Sequence, residues 1–257
     1  MTATPQRDLP VHRFAGAGGT ELAYREFGTG RHVVLIHGLF SNGPVNWIRY
    51  GHSTLLAAAG RRVIMPDLRA HGASAHPHDD LSYPPDVLVD DGLALIAHLG
   101  LADYDLGGYS LGARTAARMM VRGARPRRAV LAGTGLAGLI STRDSRERFR
   151  HVLTNLGGHP RGSDAWRAEA FLRTVGGDPT ALLKLLDTFV DTAPHDLARI
   201  TIPTLVVVGS EDRAESSADD LAAALRHGTF RTVPGDHMSA VSNPALGQAI
   251  SGFIDPS

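Results

Sequence analysis

Cysteine is absent from this 257-residue chain. That excludes a disulfide framework, thiolate metal sites and a cysteine nucleophile, and leaves the cellular compartment open. Lysine is nearly absent too: Lys184 is the only one, with arginine used elsewhere. That bias reads as a GC-rich genome rather than as a function. Net charge is missing, since 26 basic residues face 26 acidic ones. With no block of either sign, nothing points to a nucleic acid or a membrane surface as partner. No apolar run approaches membrane-spanning length. Residues 1–10 carry one arginine with no apolar segment after it, unlike a signal peptide. Internal repeats and low-complexity segments are not found. The expectation is a soluble cytoplasmic protein: one large domain, or one domain with an insertion, long enough for a sizeable core.

What is present is an alternation of short apolar runs with helical patterns. Residues 20–27 read as a strand, ending at Gly28-Thr29-Gly30. Val33-Val34-Leu35-Ile36 and Arg62-Val63-Ile64-Met65 are continuous apolar runs, as strands buried on both faces should be. Between them, residues 53–59 read as a helix capped by Ser53 and stopped by Gly60. Pro84 and Pro85 open a second helix, which Gly100 closes. Further strands are expected at 104–107, 128–132, 204–209 and 229–233, with helices over 113–121, 218–225 and 244–254. This rhythm implies a mostly parallel central sheet with helices on both faces. It breaks between about 136 and 197. There the pieces 146–153, 164–175 and 180–190 look helical, and no buried strand is evident. Residues 1–135 and 198–257 are therefore read as one α/β core domain, and 136–197 as an inserted helical cap.

Within the core, Gly108-Tyr109-Ser110-Leu111-Gly112 lies between a strand and a helix. Gly-x-Ser-x-Gly in that setting is a nucleophile elbow. The turn is tight enough to strain the serine, and glycine two residues to either side avoids Cβ collisions. The pattern is weak by itself. Its context adds Gly209-Ser210-Glu211-Asp212-Arg213 beyond a late strand and Pro234-Gly235-Asp236-His237-Met238 beyond the next. In a parallel sheet, residues at the C-terminal strand ends converge on one crevice. Ser110, Asp212 and His237 thus follow one another in chain order, each at the C-terminal end of a strand, as candidates for one site. Glu211 and Asp236 are rivals to Asp212.

From about Val11 onward the chain resembles the α/β-hydrolase superfamily. The resemblance rests on His37-Gly38, Asp67-Leu68-Arg69-x-His71-Gly72-x-Ser74, Gly108-x-Ser110-x-Gly112, Gly209-x-x-Asp212 and Gly235-x-His237. It implies that Ser110 attacks an acyl carbon, His237 moves the proton and Asp212 orients the imidazole. It also implies an oxyanion hole formed by the backbone N–H groups of Leu39 and Leu111. The stretch from Asp67 to Ser74 is expected to be a hydrogen-bonded structural loop, with His37 supporting the oxyanion loop. Phe40 and Trp47 are the expected pocket walls. Phe149, Trp166, Phe171 and Phe189 are further aromatic candidates in the cap. His76-Pro77-His78-Asp79-Asp80 has metal-like composition. The closing histidine of a binuclear motif is missing, so no metal and no cofactor are expected.

The resemblance implies a serine hydrolase acting on a carboxylic ester of a small or medium substrate. Lactonase, thioesterase, carbon–carbon bond hydrolase and cofactor-free perhydrolase activities share this triad, and fold-level likeness does not separate them. A serine at the elbow argues against haloalkane dehalogenases and epoxide hydrolases, which use aspartate there. A non-catalytic ligand receptor on the same scaffold is the alternative from another class. A metallohydrolase using His76 and His78 is a third.

Overall fold

The computed structural model describes residues 9–212 and 217–255. Most of the N-terminal stretch read against a signal peptide (residues 1–8) and Arg213 lie outside the described residues. The strands are β1 (His12–Ala15), β2 (Glu21–Phe27), β3 (Arg31–Ile36), β4 (Arg61–Asp67), β5 (Tyr104–Tyr109), β6 (Ala129–Ala132), β7 (Thr204–Gly209) and β8 (Gly228–Val233). They form one sheet in the order β1-β2-β4-β3-β5-β6-β7-β8. The pairs β1–β2 and β2–β4 are antiparallel, and every later pair is parallel. The parallel register sets Ile36 beside Gly108, Tyr109 beside Ala132 and Gly209 beside Val233. The segments after β3, β5, β7 and β8 therefore leave the sheet at one edge.

The apolar runs are continuous because both faces of the sheet are covered. Alternate residues serve opposite cores. Val34, Ile36, Ile64, Leu106, Leu131 and Val206 point into one. Val33, Leu35, Val63, Met65, Val130 and Val207 point into the other. Helices α2 (Val87–His98) and α3 (Leu111–Val121) pack together over the first face. Helix α1 (His52–Ala58) and the last helix, α11 (Pro244–Ile254), pack together over the second. Between β6 and β7 the chain forms α4 (Leu136–Ile140), α5 (Arg143–Thr154), α6 (Asp164–Val175), α7 (Pro179–Leu186) and α8 (Pro194–Leu197), with no strand among them. Helix α9 (Ala218–Ala224) precedes β8, and α10 (His237–Ala240) follows it. No helix among the described residues is long and apolar enough to cross a membrane.

Several helix starts follow the expected chemistry. Asp178 caps α7 ahead of Pro179, and Asn243 caps α11 ahead of Pro244. Helix α1 does not. Its N-cap is Gly51, in the left-handed conformation at φ 79°, while Ser53 sits buried as the second residue of the helix. Helix α2 begins beyond both prolines, at Val87, after Asp86 at φ 65°. Two long-range forces hold Asp86 in that unfavourable conformation: the Arg118 side chain grips its carboxylate, and its N–H donates to Thr188 O at 2.8 Å. Strand β1 was not anticipated. Only Phe14 of its four residues is buried, which is too little to show a period of two.

Candidate active site

Ser110 occupies the step between β5 and α3. Its backbone, at φ 55° and ψ −112°, lies where a side chain is strained. Such a residue costs about 1–3 kcal/mol and persists only when its surroundings fix it. Here they do: Ser110 N donates to Ala132 O at 2.8 Å, and Arg114 N donates to Ser110 O at 3.0 Å. The flanking glycines are required by contact. A Cβ on Gly108 would lie 2.2 Å from the carbonyl carbon of Gly112, and one on Gly112 would lie 2.1 Å from Ile36 O.

Asp212 and His237 arrive from the two neighbouring strand ends. Asp212 is buried at 7% exposure beyond β7, and its N–H donates to Gly209 O. His237 opens α10, whose N-cap Asp236 forms a capping box with Ser239. His237 Nδ1 is 2.8 Å from Asp212 Oδ2, and its Nε2 is 3.2 Å from Ser110 Oγ. The pattern assigns the proton to Nδ1, donated to the carboxylate, and leaves Nε2 to accept from the hydroxyl. The two rival carboxylates are elsewhere. Glu211 is exposed. Asp236 accepts from the N–H groups of Met238 and Ser239 and from Ser239 Oγ, bonds that hold its carboxyl below the usual carboxylate range.

The loop after β3 faces the same edge. Gly38 N donates to Asn46 Oδ1, Phe40 N to His71 Nε2 and Ser41 N to Gly38 O. The Leu39 N–H between them, and the Leu111 N–H at the start of α3, have no hydrogen-bond partner among the described residues. Phe40 sits at φ 61°, held by the His71 bond. His37 accepts from Leu68 N at Nε2 and donates from Nδ1 to Gly38 O. Burial pushes its pKa down to about 4. His71 donates from Nδ1 to Arg69 O, and burial followed by the neighbouring His37 pushes its pKa down to about 3. Both rings are thus neutral struts whose lone pairs fix backbone N–H groups. The rest of the 67–74 loop is equally occupied. Arg69 pairs with Asp91 at 2.8 and 3.0 Å, both side chains buried. Ser74 Oγ accepts from Ala23 N, and Asp67 accepts from the N–H groups of Gly43 and Ala73.

The two expected pocket walls part company. Phe40 is buried, with its ring edge-on to Phe149 of α5 at 5.3 Å, so the loop after β3 touches the helices between β6 and β7. Trp47 is corrected: it is fully buried in the second core with Val33, Leu35 and Val63, away from the face that carries Phe40. The chain turns through a wide helical turn at Pro44–Ile48, which swings the indole beneath the sheet. Phe149, Phe171 and Phe189 are half-buried against the first core, and Trp166 is 38% exposed. In the 76–80 stretch, His78 pairs with Asp178 at 2.6 Å, Asp80 with Lys184, and Asp79 accepts from Ser82 N and Oγ. No cluster of three or more metal-ligating side chains occurs among the described residues. Two supports of the site were not foreseen. Asn46 holds Gly38, and the Tyr109 hydroxyl donates to His237 O at 2.6 Å. A 128-residue separation gave the second no local signal.

Comparison with known proteins places the chain in a family. Residues 33–246 match the sequence model described as the Alpha/beta hydrolase family. The chain is 28% identical to a non-heme haloperoxidase of Rhodococcus erythropolis, over 92% of this chain and 97% of that one. It is 27% identical to 3-oxoadipate enol-lactonase 2 of Acinetobacter baylyi, over 75% and 78% respectively. Among solved structures, a hydrolase from Pseudomonas aeruginosa is similar with a TM-score of 0.73 at 25% identity, covering 95% of this chain and 98% of that one. A thermophilic esterase from Thermogutta terrifontis has the same fold, with a TM-score of 0.76 at 22% identity and the same coverages.

Proposed function

The chain belongs to the alpha/beta hydrolase family, and on that footing we propose that it is a serine hydrolase that cleaves carboxylic esters of small or medium substrates. The observation that carries the proposal is the unbroken chain Asp212–His237–Ser110, at 2.8 and 3.2 Å, beside two unoccupied backbone donors. Ser110 Oγ attacks the acyl carbon while Nε2 of His237 takes its proton. The N–H groups of Leu39 and Leu111 receive the developing oxyanion; losing one such donor typically costs about a hundred- to a thousand-fold in rate. His237 then protonates the departing alcohol, with Asp212 stabilising the imidazolium. Water, activated by the same imidazole, releases the acid from acyl-Ser110. The chemistry draws only on groups of the chain and on water, and we place it in the cytoplasm.

In this reading, residues 136–197 cap the site. Support comes from Phe149 on Phe40 and from Arg114, one turn along α3 from the nucleophile. Arg114 donates to Gly138 O and Val190 O, at the two ends of the insertion. The cap then selects the substrate and Phe40 lines the pocket. A second reading, a lactonase on the same triad, is favoured by the likeness to the enol-lactonase. The same attack opens a lactone ring with the leaving alcohol still tethered. The test is turnover of nitrophenyl esters from acetate upward beside a lactone panel, for the wild type and Ser110→Ala, with a chelator control. The proposal expects turnover that Ser110→Ala loses by about 10⁴-fold or more and that the chelator leaves intact. Stoichiometric binding without turnover would instead identify a receptor.

A further inference from the structure

Tyr109 precedes the nucleophile and is 4% exposed. Its hydroxyl donates to the backbone carbonyl of His237 at 2.6 Å, and its ring lies 5.3 Å from the imidazole, inclined by 49°. A single side chain, on the residue peptide-bonded to Ser110, thus grips the residue proposed as the base. The ring has a prepared place. Gly133, just past β6, has φ 64°, and a Cβ there would come 2.7 Å from Tyr109 Cζ.

His237 has few other restraints. Its side chain is 40% exposed, and it begins a helix of four residues. In a longer helix the His237 carbonyl would accept the N–H four residues on. Here the Val241 N–H goes to Ser239 O instead. The Asp236 box fixes Met238 and Ser239, and Asp212 fixes the far side of the ring. The Tyr109 bond holds the His237 backbone itself. Burial, with the charges of Asp212 and Asp236 adding to it, raises the phenol's pKa, so the group stays an O–H donor throughout any working pH range.

Resting on the serine-hydrolase reading above, we infer that Tyr109 is a positioning residue: its hydroxyl brace sets where His237 Nε2 stands relative to Ser110 Oγ and to the leaving group. A proton-transfer group must stand within hydrogen-bond reach of both partners, and a displacement of about 1 Å can cost a hundred-fold in rate. The demand is unequal between substrates. An alkoxide leaving group must be protonated by His237, whereas a nitrophenolate departs without that proton.

The experiment compares wild type, Tyr109→Phe and Ser110→Ala on nitrophenyl and alkyl esters of one acyl group, with thermal midpoints measured alongside. Tyr109→Phe is expected to lower kcat by about ten-fold on the nitrophenyl ester and about a hundred-fold on the alkyl ester, with KM little changed. Gly133→Ala keeps the hydroxyl but displaces the ring, and is expected to show the same leaving-group dependence. It decides by the same criteria where the phenylalanine variant does not fold. Rates within two-fold of wild type on both esters, or an equal loss on both, would overturn the inference. Full activity of Ser110→Ala would instead overturn the serine-hydrolase reading, so the two failures are separable.

Discussion

Mild acid is expected to destabilise this fold through two histidines that hold the loop after β3. His37 and His71 are buried, their rings 5.0 Å apart, and their pKa values are pushed down to about 4 and about 3. In the unfolded chain each returns to about 6.5. Above that pH both states carry neutral rings and stability is undiminished. Below it the unfolded chain takes up protons that the folded one refuses, at a cost of about 1.4 kcal/mol per pH unit for each ring. By pH 5, still above the folded values, the loss is about 2 kcal/mol per histidine and about 4 for the pair, a large share of an ordinary 5–15 kcal/mol stability. Protonation also has a local meaning. A proton on His71 Nε2 removes the acceptor that holds Phe40 at φ 61° beside the Leu39 N–H. The assay is urea unfolding from pH 8 to pH 5, followed by fluorescence of the buried Trp47. His71→Gln supplies an acceptor that does not titrate, so its stability should fall less steeply, by about one proton's worth of slope. A stability flat from pH 8 to pH 5 would refute the reasoning, as would an unchanged slope in His71→Gln.

Three substitutions elsewhere in the structure have equally definite outcomes. Asp212→Asn should lower kcat by about 10⁴-fold with the fold intact, because the imidazole loses the partner that sets its tautomer. Asp236→Ala should cost only about 1 kcal/mol of stability through the lost helix cap, and steady-state kinetics giving the opposite ranking would reverse the carboxylate assignment. Arg69→Met should destabilise by about 3–5 kcal/mol, since Asp91 is left buried without its cation. An unshifted denaturation midpoint would show that the pair carries no such weight.

The parts of the molecule legible in the sequence are those written in local pattern. Strands β5 and β7 and helices α6 and α11 can be read from runs whose length and punctuation match the structure closely. The elbow can be read because its Gly-x-Ser-x-Gly spacing falls between a strand run and a helix run, although only Gly108 answers a collision close by, with Gly112, while Gly112 answers one with Ile36 across the sheet. The order of Ser110, Asp212 and His237 is legible because parallel strands deliver their following loops to one edge. Other features depend on partners that only the folded chain supplies. Trp47 is near the loop after β3 in sequence, but one wide helical turn sends it into the opposite core. Ser53 has the chemistry of a cap, yet Gly51 holds the left-handed position that starts α1. The grips of Arg118 on Asp86 and Tyr109 on His237 join segments whose meeting is set by topology, and that of Asn46 on Gly38 depends on how one loop folds back on itself. Residue type alone announces none of them.

The central claim is that Ser110 becomes acylated, and it can be measured directly. Wild type and His237→Ala would be mixed with a nitrophenyl ester, quenched in acid within the first turnovers and digested for mass spectrometry. The account predicts one acyl group on the peptide that carries Ser110, longer-lived in His237→Ala because the water that releases it has lost its base. Steady ester turnover with no acyl group on that peptide, or turnover undiminished in Ser110→Ala, would contradict it.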